Sequence, residues 1–234
     1  MSFRYSALAA HSLVLLAAAA CFACSSSADD SGNGGGQVAI APLSREPTSK
    51  GVTFESAELS LALVSLQACA SDTATLQTRD FPIELFYQPS PHVIFVSAVS
   101  GYCGVEVDLA PAAPNDALPD LVGYTALFRG TRADGAAFEL RSTLSTNFVF
   151  RSSSTLAADK LVVGVDLETW LSGVDLDAAT TTDGVALVDA GDNPDQLAAF
   201  DAGVTSAFAL YEDANSDGAL SDSELTPVAT AATE

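Results

Sequence analysis

Basic residues are scarce in this chain. Its 234 residues include 9 Lys and Arg against 30 Asp and Glu, so the formal net charge is -21. The summed field of such an acidic surface repels nucleic acid and anionic lipid and attracts divalent cations. We therefore expect no nucleic-acid partner.

The residues and motifs of common catalytic sites are also missing. Histidine occurs twice, and only His92 lies beyond the N-terminal apolar segment, which excludes most zinc chemistry. The chain has no phosphate-cradling glycine loop, no G-x-S-x-G elbow and no H-E-x-x-H. Glu106 and Asp108 share one face of an alternating segment, which is ordinary for the solvated side of a strand. The sequence predicts that the protein is not an enzyme.

A long apolar run occurs once, at the N terminus. Residues 7–23 follow Arg4, are largely apolar and end in small residues around Cys21 and Cys24. The segment resembles the signal peptide of a bacterial lipoprotein, in which a cysteine after a small residue is lipid-modified and begins the mature chain. We expect a signal peptide over 1–23 and lipidation of Cys24, with Cys21 as the alternative.

The stretch that follows Cys24 supports this choice. It is rich in Ser and Gly, the composition of a flexible tether, and we assign the tether to residues 24–50. The resemblance implies a lipid anchor in the outer membrane or at the cell surface of a Gram-negative bacterium. A periplasmic or secreted protein with a cleaved, unlipidated signal and an uncleaved anchor are the alternatives. No other stretch is apolar enough to span a bilayer.

Two cysteines remain in the body of the chain, Cys69 and Cys103. In an oxidising compartment such a pair predicts a disulfide. Cys103 begins an alternation with Val105 and Val107, so its side chain is expected on the apolar face, in a buried bridge. The competing reading is a free catalytic thiol, for which no nearby base is present.

Residues 51–212 have the organisation of an all-β domain. Short segments with period-two alternation recur about every ten residues, separated by Gly, Pro, Asp and Ser. They predict a two-sheet β-sandwich of the immunoglobulin or transthyretin kind. The expected strands are 52–67, 81–87, 92–98, 102–109, 121–128, 136–143, 147–151, 161–165 and 205–211.

Two short helices are expected between the strands. One begins with Asn193 as its cap and Pro194 in its first turn, has Gln196 bonding back to the cap, and ends at Gly203. The other begins after Asp166 and carries the single tryptophan, Trp170. A core position for that residue is favoured over a ligand platform.

The segment 213–224 reads D-A-N-S-D-G-A-L-S-D-S-E and resembles the loop of an EF-hand calcium site. Calcium requires six to eight oxygen ligands, and the loop places them at positions 1, 3, 5, 7, 9 and 12, with glycine at position 6. Gly218 fills the glycine position, and Leu220 is the apolar residue that would anchor the loop to a core. The expected ligands are Asp213, Asn215, Asp217, the carbonyl of Ala219, Ser221 and Glu224.

The rest of an EF-hand is missing. Pro227 interrupts the short tail 225–234, so an exiting helix is barely more than a turn, and the entering segment 205–212 reads as helix or strand. A second loop, which sensors normally pair with the first, does not occur. The resemblance therefore implies calcium as a structural clip and not as a switch, and the alternative is an ordinary acidic turn.

The body also resembles uncharacterised lipoproteins of Gram-negative bacteria in the stretches 101–107, 128–135 and 211–218. That resemblance implies a location and a fold type, and no known activity. The sequence thus favours a calcium-binding, membrane-anchored extracytoplasmic lipoprotein of structural or interaction type. The alternative is an adhesion or carbohydrate-binding module that uses calcium, or aromatics such as Tyr87 and Tyr124, for a protein or glycan partner.

Overall fold

The computed structural model describes residues 36–44, 48–49, 51–69, 78–86, 92–96, 102–114, 118–156, 161–215 and 220–233. All of them belong to one unit that spans residues 33–234. The described strands are β1 (Gly36–Pro42), β2 (Thr48–Ser49), β3 (Val52–Ala68), β4 (Thr78–Glu84), β5 (His92–Val96), β6 (Tyr102–Leu109), β7 (Ala126–Thr131), β8 (Ala137–Ser142), β9 (Thr146–Leu156), β10 (Leu161–Val165), β11 (Val185–Val188), β12 (Phe208–Glu212) and β13 (Ala229–Thr233). The described helices are α1 (Leu167–Trp170) and α2 (Pro194–Ala207), with 3-10 turns at Pro119–Leu121, Leu171–Gly173 and Asp222–Glu224.

The longest strand, β3, organises the sheet. Its first half pairs with β7 and its second half with β6, while β4 runs along its opposite edge. From β7 the pairing continues to β8 and β11, and from β6 it continues through β9, β13, β12, β10, β1 and β5. Bulges after Phe54 and after Leu61 change which side chains of β3 face inward along its length. Strand β3 therefore belongs to two arms of the sheet: one arm continues through β7, β8 and β11, and the other continues from β6 to β5.

The largest hydrophobic core contains side chains from both arms and from both helices. The indole of Trp170 in α1 packs edge-on against Phe128 of β7 at 5.2 Å and against Phe208 of β12 at 5.3 Å between ring centroids. Phe208 stacks in turn on Phe148 of β9 at 5.0 Å. The predicted all-β class, with a sandwich-like arrangement and two short helices, is confirmed. Strand pairing is continuous from β11 to β5, with β13 joining β9 to β12, so the two halves form one hydrogen-bonded sheet.

Strand β1 corrects the predicted extent of the tether. Gly36–Pro42 pairs in parallel with β10 and antiparallel with β5, and Val38 and Ile40 are fully buried. The apolar run 38–41 is short and follows a Gly and Ser run, so composition alone assigns it to the tether. Residues 36–42 and 48–49 are therefore strands of the sheet and not part of a flexible tether.

Strands β11 and β13 were not expected from the sequence. Ala229–Thr233 lies in the predicted tail and pairs with both β12 and β9. It consists of Ala and Thr, which carry little hydrophobic periodicity, so its strand conformation comes from the two neighbouring strands. Val185–Val188 is four residues long and pairs in parallel with β8.

The helix α1 begins as predicted. The Asp166 carboxylate accepts hydrogen bonds from the Thr169 backbone N–H at 3.0 Å and from its hydroxyl at 2.6 Å. This is an N-cap, which satisfies an amide that has no partner within the helix. Trp170 is 1% exposed, so the predicted core position is confirmed.

The helix α2 departs from the prediction at both ends. Asn193 has a positive φ of 54° and makes no side-chain cap, and the carboxamide oxygen of Gln196 accepts from Asp175 N–H at 2.6 Å instead of bonding back. The helix also passes through Gly203 to Ala207. A Cβ at Gly203 would lie 2.3 Å from the Trp170 carbonyl oxygen. Glycine is therefore required here because α2 approaches α1 closely, and it does not end the helix.

Candidate functional site

The predicted calcium loop connects two neighbouring antiparallel strands. Strand β12 ends at Glu212, β13 begins at Ala229, and the Val228 N–H donates to the Leu210 carbonyl at 2.8 Å. The segment that enters the loop is therefore a strand, which follows α2 without a break. The loop itself ends in a 3-10 turn, Asp222–Glu224, and the segment that leaves it leads into β13. The loop lies in a β-hairpin and not between two helices.

The carboxylate of Glu224 joins the two ends of this loop. One oxygen, Oε1, accepts from the backbone N–H of Ala214 at 2.7 Å and of Asn215 at 3.3 Å. The other, Oε2, accepts from the backbone N–H of Ser221 at 2.8 Å and from its hydroxyl at 2.6 Å. Loop position 12 therefore lies beside positions 2, 3 and 9.

These hydrogen bonds hold Glu224 in its charged form. The pKa of the carboxyl is lowered, first by the bond from the Ser221 hydroxyl and then by those from the backbone amides of Ser221, Ala214 and Asn215. Each donor stabilises the ionised carboxylate and not the neutral acid. The carboxylate of Glu224 therefore stays ionised to a lower pH than an unpartnered glutamate does.

The structure describes some of the other predicted ligands and not all of them. Asp213 is 4% exposed at the end of β12, whereas Asn215 and Ser221 are exposed. Asp217 and Ala219 lie outside the described residues. All the described candidates supply oxygen, the donor that calcium requires. Within the described ranges, which exclude Asp217, no three His, Cys, Asp or Glu side chains are grouped as metal ligands.

The apolar eighth position of the loop packs as predicted. Leu220 is partly buried against Ala39 and Ala41 of β1 and Val162 of β10. The loop is therefore attached to the sheet at Leu220 as well as at its two strand ends. Its position depends on β1, a strand that the sequence assigned to the tether.

The predicted disulfide between Cys69 and Cys103 is present, with 4.7 Å between the Cα atoms. It joins the end of β3 to the start of β6, but the expected buried position is wrong. A register shift between Tyr102 and Gly104 turns Tyr102 into the core and leaves Cys103 half-buried, and Cys69 is exposed. Simple alternation fails here because the irregularity changes which side chains face inward.

The predicted signal peptide, Cys21, Cys24 and most of the predicted tether lie outside the described residues. In the part of the chain that is described, no helix has the length and apolar character needed to cross a membrane. Tyr87 also lies outside this part. Tyr124 is half-buried, and the Arg141 guanidinium lies over its ring at 5.5 Å from the centroid.

The structure reveals a polar cluster that the sequence does not predict. On the side of β3, β6 and β9 that faces away from the core, Glu106 and Asp108 are half-buried beside Ser65, Gln67 and Asn147. Glu106 Oε2 accepts from the Ser65 hydroxyl at 3.3 Å and from the Gln67 amide nitrogen at 3.2 Å. The two carboxylates are thus not simply solvated, because the neighbouring strands supply hydrogen-bond donors. The two-residue spacing of Glu106 and Asp108 indicates in the sequence that they share one face of a strand. Their partners on β3 and β9 are identified only by strand register.

Comparison with known proteins gives one distant likeness in structure. No protein-family model matches the chain, and no curated protein sequence matches it. Among solved structures, the chain is similar to MbnP from Methylosinus trichosporium, with a TM-score of 0.46 and 11% sequence identity over 75% of this chain and 96% of that one. We draw no functional argument from a likeness at this level.

Proposed function

We propose that the protein is a membrane-anchored extracytoplasmic lipoprotein in which the loop 213–224 binds one calcium ion as a structural clip. The observation that carries the proposal is the position of Glu224. Its carboxylate reaches across the loop to the amides of Ala214 and Asn215, next to the buried Asp213. The first and last ligand positions of the sequence pattern therefore belong to one compact loop.

The setting of the loop supports a clip over a switch. Both its ends continue into paired strands, and Leu220 attaches its middle to β1 and β10. A calcium sensor needs helices that can change their angle and expose an apolar groove. Here a bound cation would neutralise the carboxylates of the ligand pattern and tie the β12–β13 connection, which stabilises the fold without a large movement.

A calcium titration of thermal stability tests this proposal in the full-length protein. Extracellular calcium modules bind at about 10⁻⁴ to 10⁻³ M, so 10 mM calcium stabilises by about 1.4 to 2.7 kcal/mol. For a protein of this size we expect a rise in melting temperature of about 3 to 10 °C over the value in EDTA. Glu224→Gln should abolish the rise.

The matched control is Asp222→Asn, which removes the same charge from the same loop at an exposed position outside the ligand pattern. It should keep the full calcium response. Because Glu224 also accepts hydrogen bonds from the loop, Glu224→Gln lowers stability even in EDTA, and only the calcium-dependent difference is diagnostic. An equal response of wild type and Glu224→Gln would refute the calcium site.

The membrane anchor has an independent test. Mass spectrometry of the N terminus of the native protein should show a lipidated cysteine, Cys24 in our proposal and Cys21 in its alternative. An unmodified start at another residue would exclude the anchor and would leave the calcium proposal untouched.

A further inference from the structure

The cluster around Glu106 and Asp108 concentrates negative charge on one face of the sheet. In the described part of the chain, neither carboxylate forms an ion pair with an arginine or lysine. Their partners are neutral: the hydroxyl of Ser65 and the side-chain amides of Gln67 and Asn147. The cluster therefore carries two negative charges that no described cationic side chain balances.

A single nitrogen atom bridges the two carboxylates. Asn147 Nδ2 donates to Glu106 Oε1 at 2.8 Å and, in a closer contact, to Asp108 Oδ1. Oxygens from two acidic residues thus converge on one point, as the ligands of a hard cation do.

Among the described residues, two amide oxygens of the cluster have no hydrogen-bond partner. Gln67 is 8% exposed, and its Oε1 is buried and unpartnered, as is Oδ1 of Asn147. Both amides direct their nitrogens at the carboxylates, which leaves their oxygens without donors. An unsatisfied buried carbonyl is a cost that native structures generally avoid or use for a ligand.

We propose that Glu106, Asp108, Asn147 and Gln67 form a binding site for a hard divalent cation such as calcium or magnesium. A half-turn of an amide about its last side-chain torsion exchanges its nitrogen and oxygen at little cost. Without a cation the amides donate to the carboxylates. With a cation between the carboxylates, the turned amides present their oxygens to it, so that the ligands are all oxygens.

The partial exposure of Glu106, Asp108 and Asn147 gives an ion access to this face. The site shares no residue with the loop 213–224, so each can exist without the other. Experiments on the cluster are therefore made in full-length protein that carries Glu224→Gln, in which the proposed loop site is disabled. Failure of the loop proposal does not affect their outcome.

The variant Asn147→Asp adds a third carboxylate to the cluster. Three converging carboxylates can bind a cation even where the parent binds none, so the response of this variant supports the proposal only if the parent also binds. In that case the added charge tightens binding about ten-fold, because affinity rises with the number of charged ligands. The melting temperature of the variant, low in EDTA, should then rise with calcium or magnesium more than that of its parent.

Calorimetry with calcium, and with magnesium for comparison, supplies the second measurement. The parent should bind one equivalent, and Asp108→Asn should weaken binding at least ten-fold. The control Asp183→Asn removes the same charge at an exposed residue with a φ of 54°, a conformation that asparagine tolerates, and should bind like the parent.

Two results would overturn the proposal. One is equal binding by the Asp108→Asn and Asp183→Asn proteins. The other is the absence of calcium and magnesium binding by the parent. If Asp108→Asn fails to fold, binding by the parent decides the question.

Discussion

Replacement of Gly203 by alanine has opposite expected effects on stability from helix propensity and from tertiary packing. In the interior of a helix, alanine is more favourable than glycine by about 1 kcal/mol, so propensity alone predicts stabilisation. In the structure a Cβ at this position would lie 2.3 Å from the Trp170 carbonyl oxygen, whereas ordinary contacts begin at 3.4 Å. Helix α2 would have to retreat by about 1.1 Å from α1.

That movement affects contacts on which the core depends. Trp170 stacks on Phe200 at 4.9 Å between centroids, and its indole N–H donates to the Phe200 carbonyl at 3.1 Å. Overpacking costs about 1 to 3 kcal/mol, and the weakened hydrogen bond and ring contact add about 1 kcal/mol each. After the gain in helix propensity is subtracted, we expect Gly203→Ala to lower the free energy of unfolding by about 3 kcal/mol. The melting temperature should fall by roughly 6 to 12 °C.

The control is Gly173→Ala, which faces the same helix. There a Cβ would meet the Ala199 Cβ at 3.6 Å, an ordinary contact, so the effect should lie within about 1 kcal/mol and can be stabilising. Calorimetric or circular dichroism melts compare the two variants. If Gly203→Ala is as stable as wild type, or more stable, the close approach of α1 and α2 is not the reason for glycine.

Two further outcomes follow from the structure. The double variant Cys69→Ser with Cys103→Ser should have a free energy of unfolding about 4 kcal/mol lower than wild type in urea denaturation, because the bridge closes a span of 34 residues. A reductant should cause the same loss in wild type, since Cys69 is exposed. A loss below about 1 kcal/mol would contradict this expectation. Burial raises the pKa of Asp201, whose carboxylate accepts from the Ser142 hydroxyl at 2.6 Å, so the folded state binds that proton more tightly than the unfolded state. Stability should therefore fall as pH rises from about the ordinary value of 3.8 through the raised pKa, and Asp201→Asn should show a smaller fall in denaturation measured across acidic pH.

Local sequence signals predicted the elements whose determinants are local. Tyr102–Leu109 and Leu161–Val165 have the predicted bounds, because alternation and branched apolar side chains specify a half-buried or buried strand without reference to its partner. The start of α1 follows from Asp166, whose side chain reaches an amide three residues away. Pairing of Cys69 with Cys103 follows from the small number of cysteines.

Long-range pairing accounts for what sequence reasoning missed. The segments Gly36–Pro42 and Ala229–Thr233 are strands because β10, β5, β12 and β9 offer them hydrogen-bond partners, and no local pattern identifies a partner distant in sequence. The same holds for the cluster of Gln67, Glu106 and Asn147. Its members are separated by about 40 residues along the chain and meet only through strand register.

The sequence by itself determined the all-β class, the disulfide partners and the core tryptophan, and it predicts the ligand pattern of the loop 213–224. Only the tertiary structure decided that this loop closes a β-hairpin, that β1 helps to hold it through Leu220, and that Gly203 is needed inside a helix. The physical reason is the range of the interactions. Periodicity, capping and ligand spacing act within a few residues, whereas register, close helix approach and converging side chains depend on partners far along the chain.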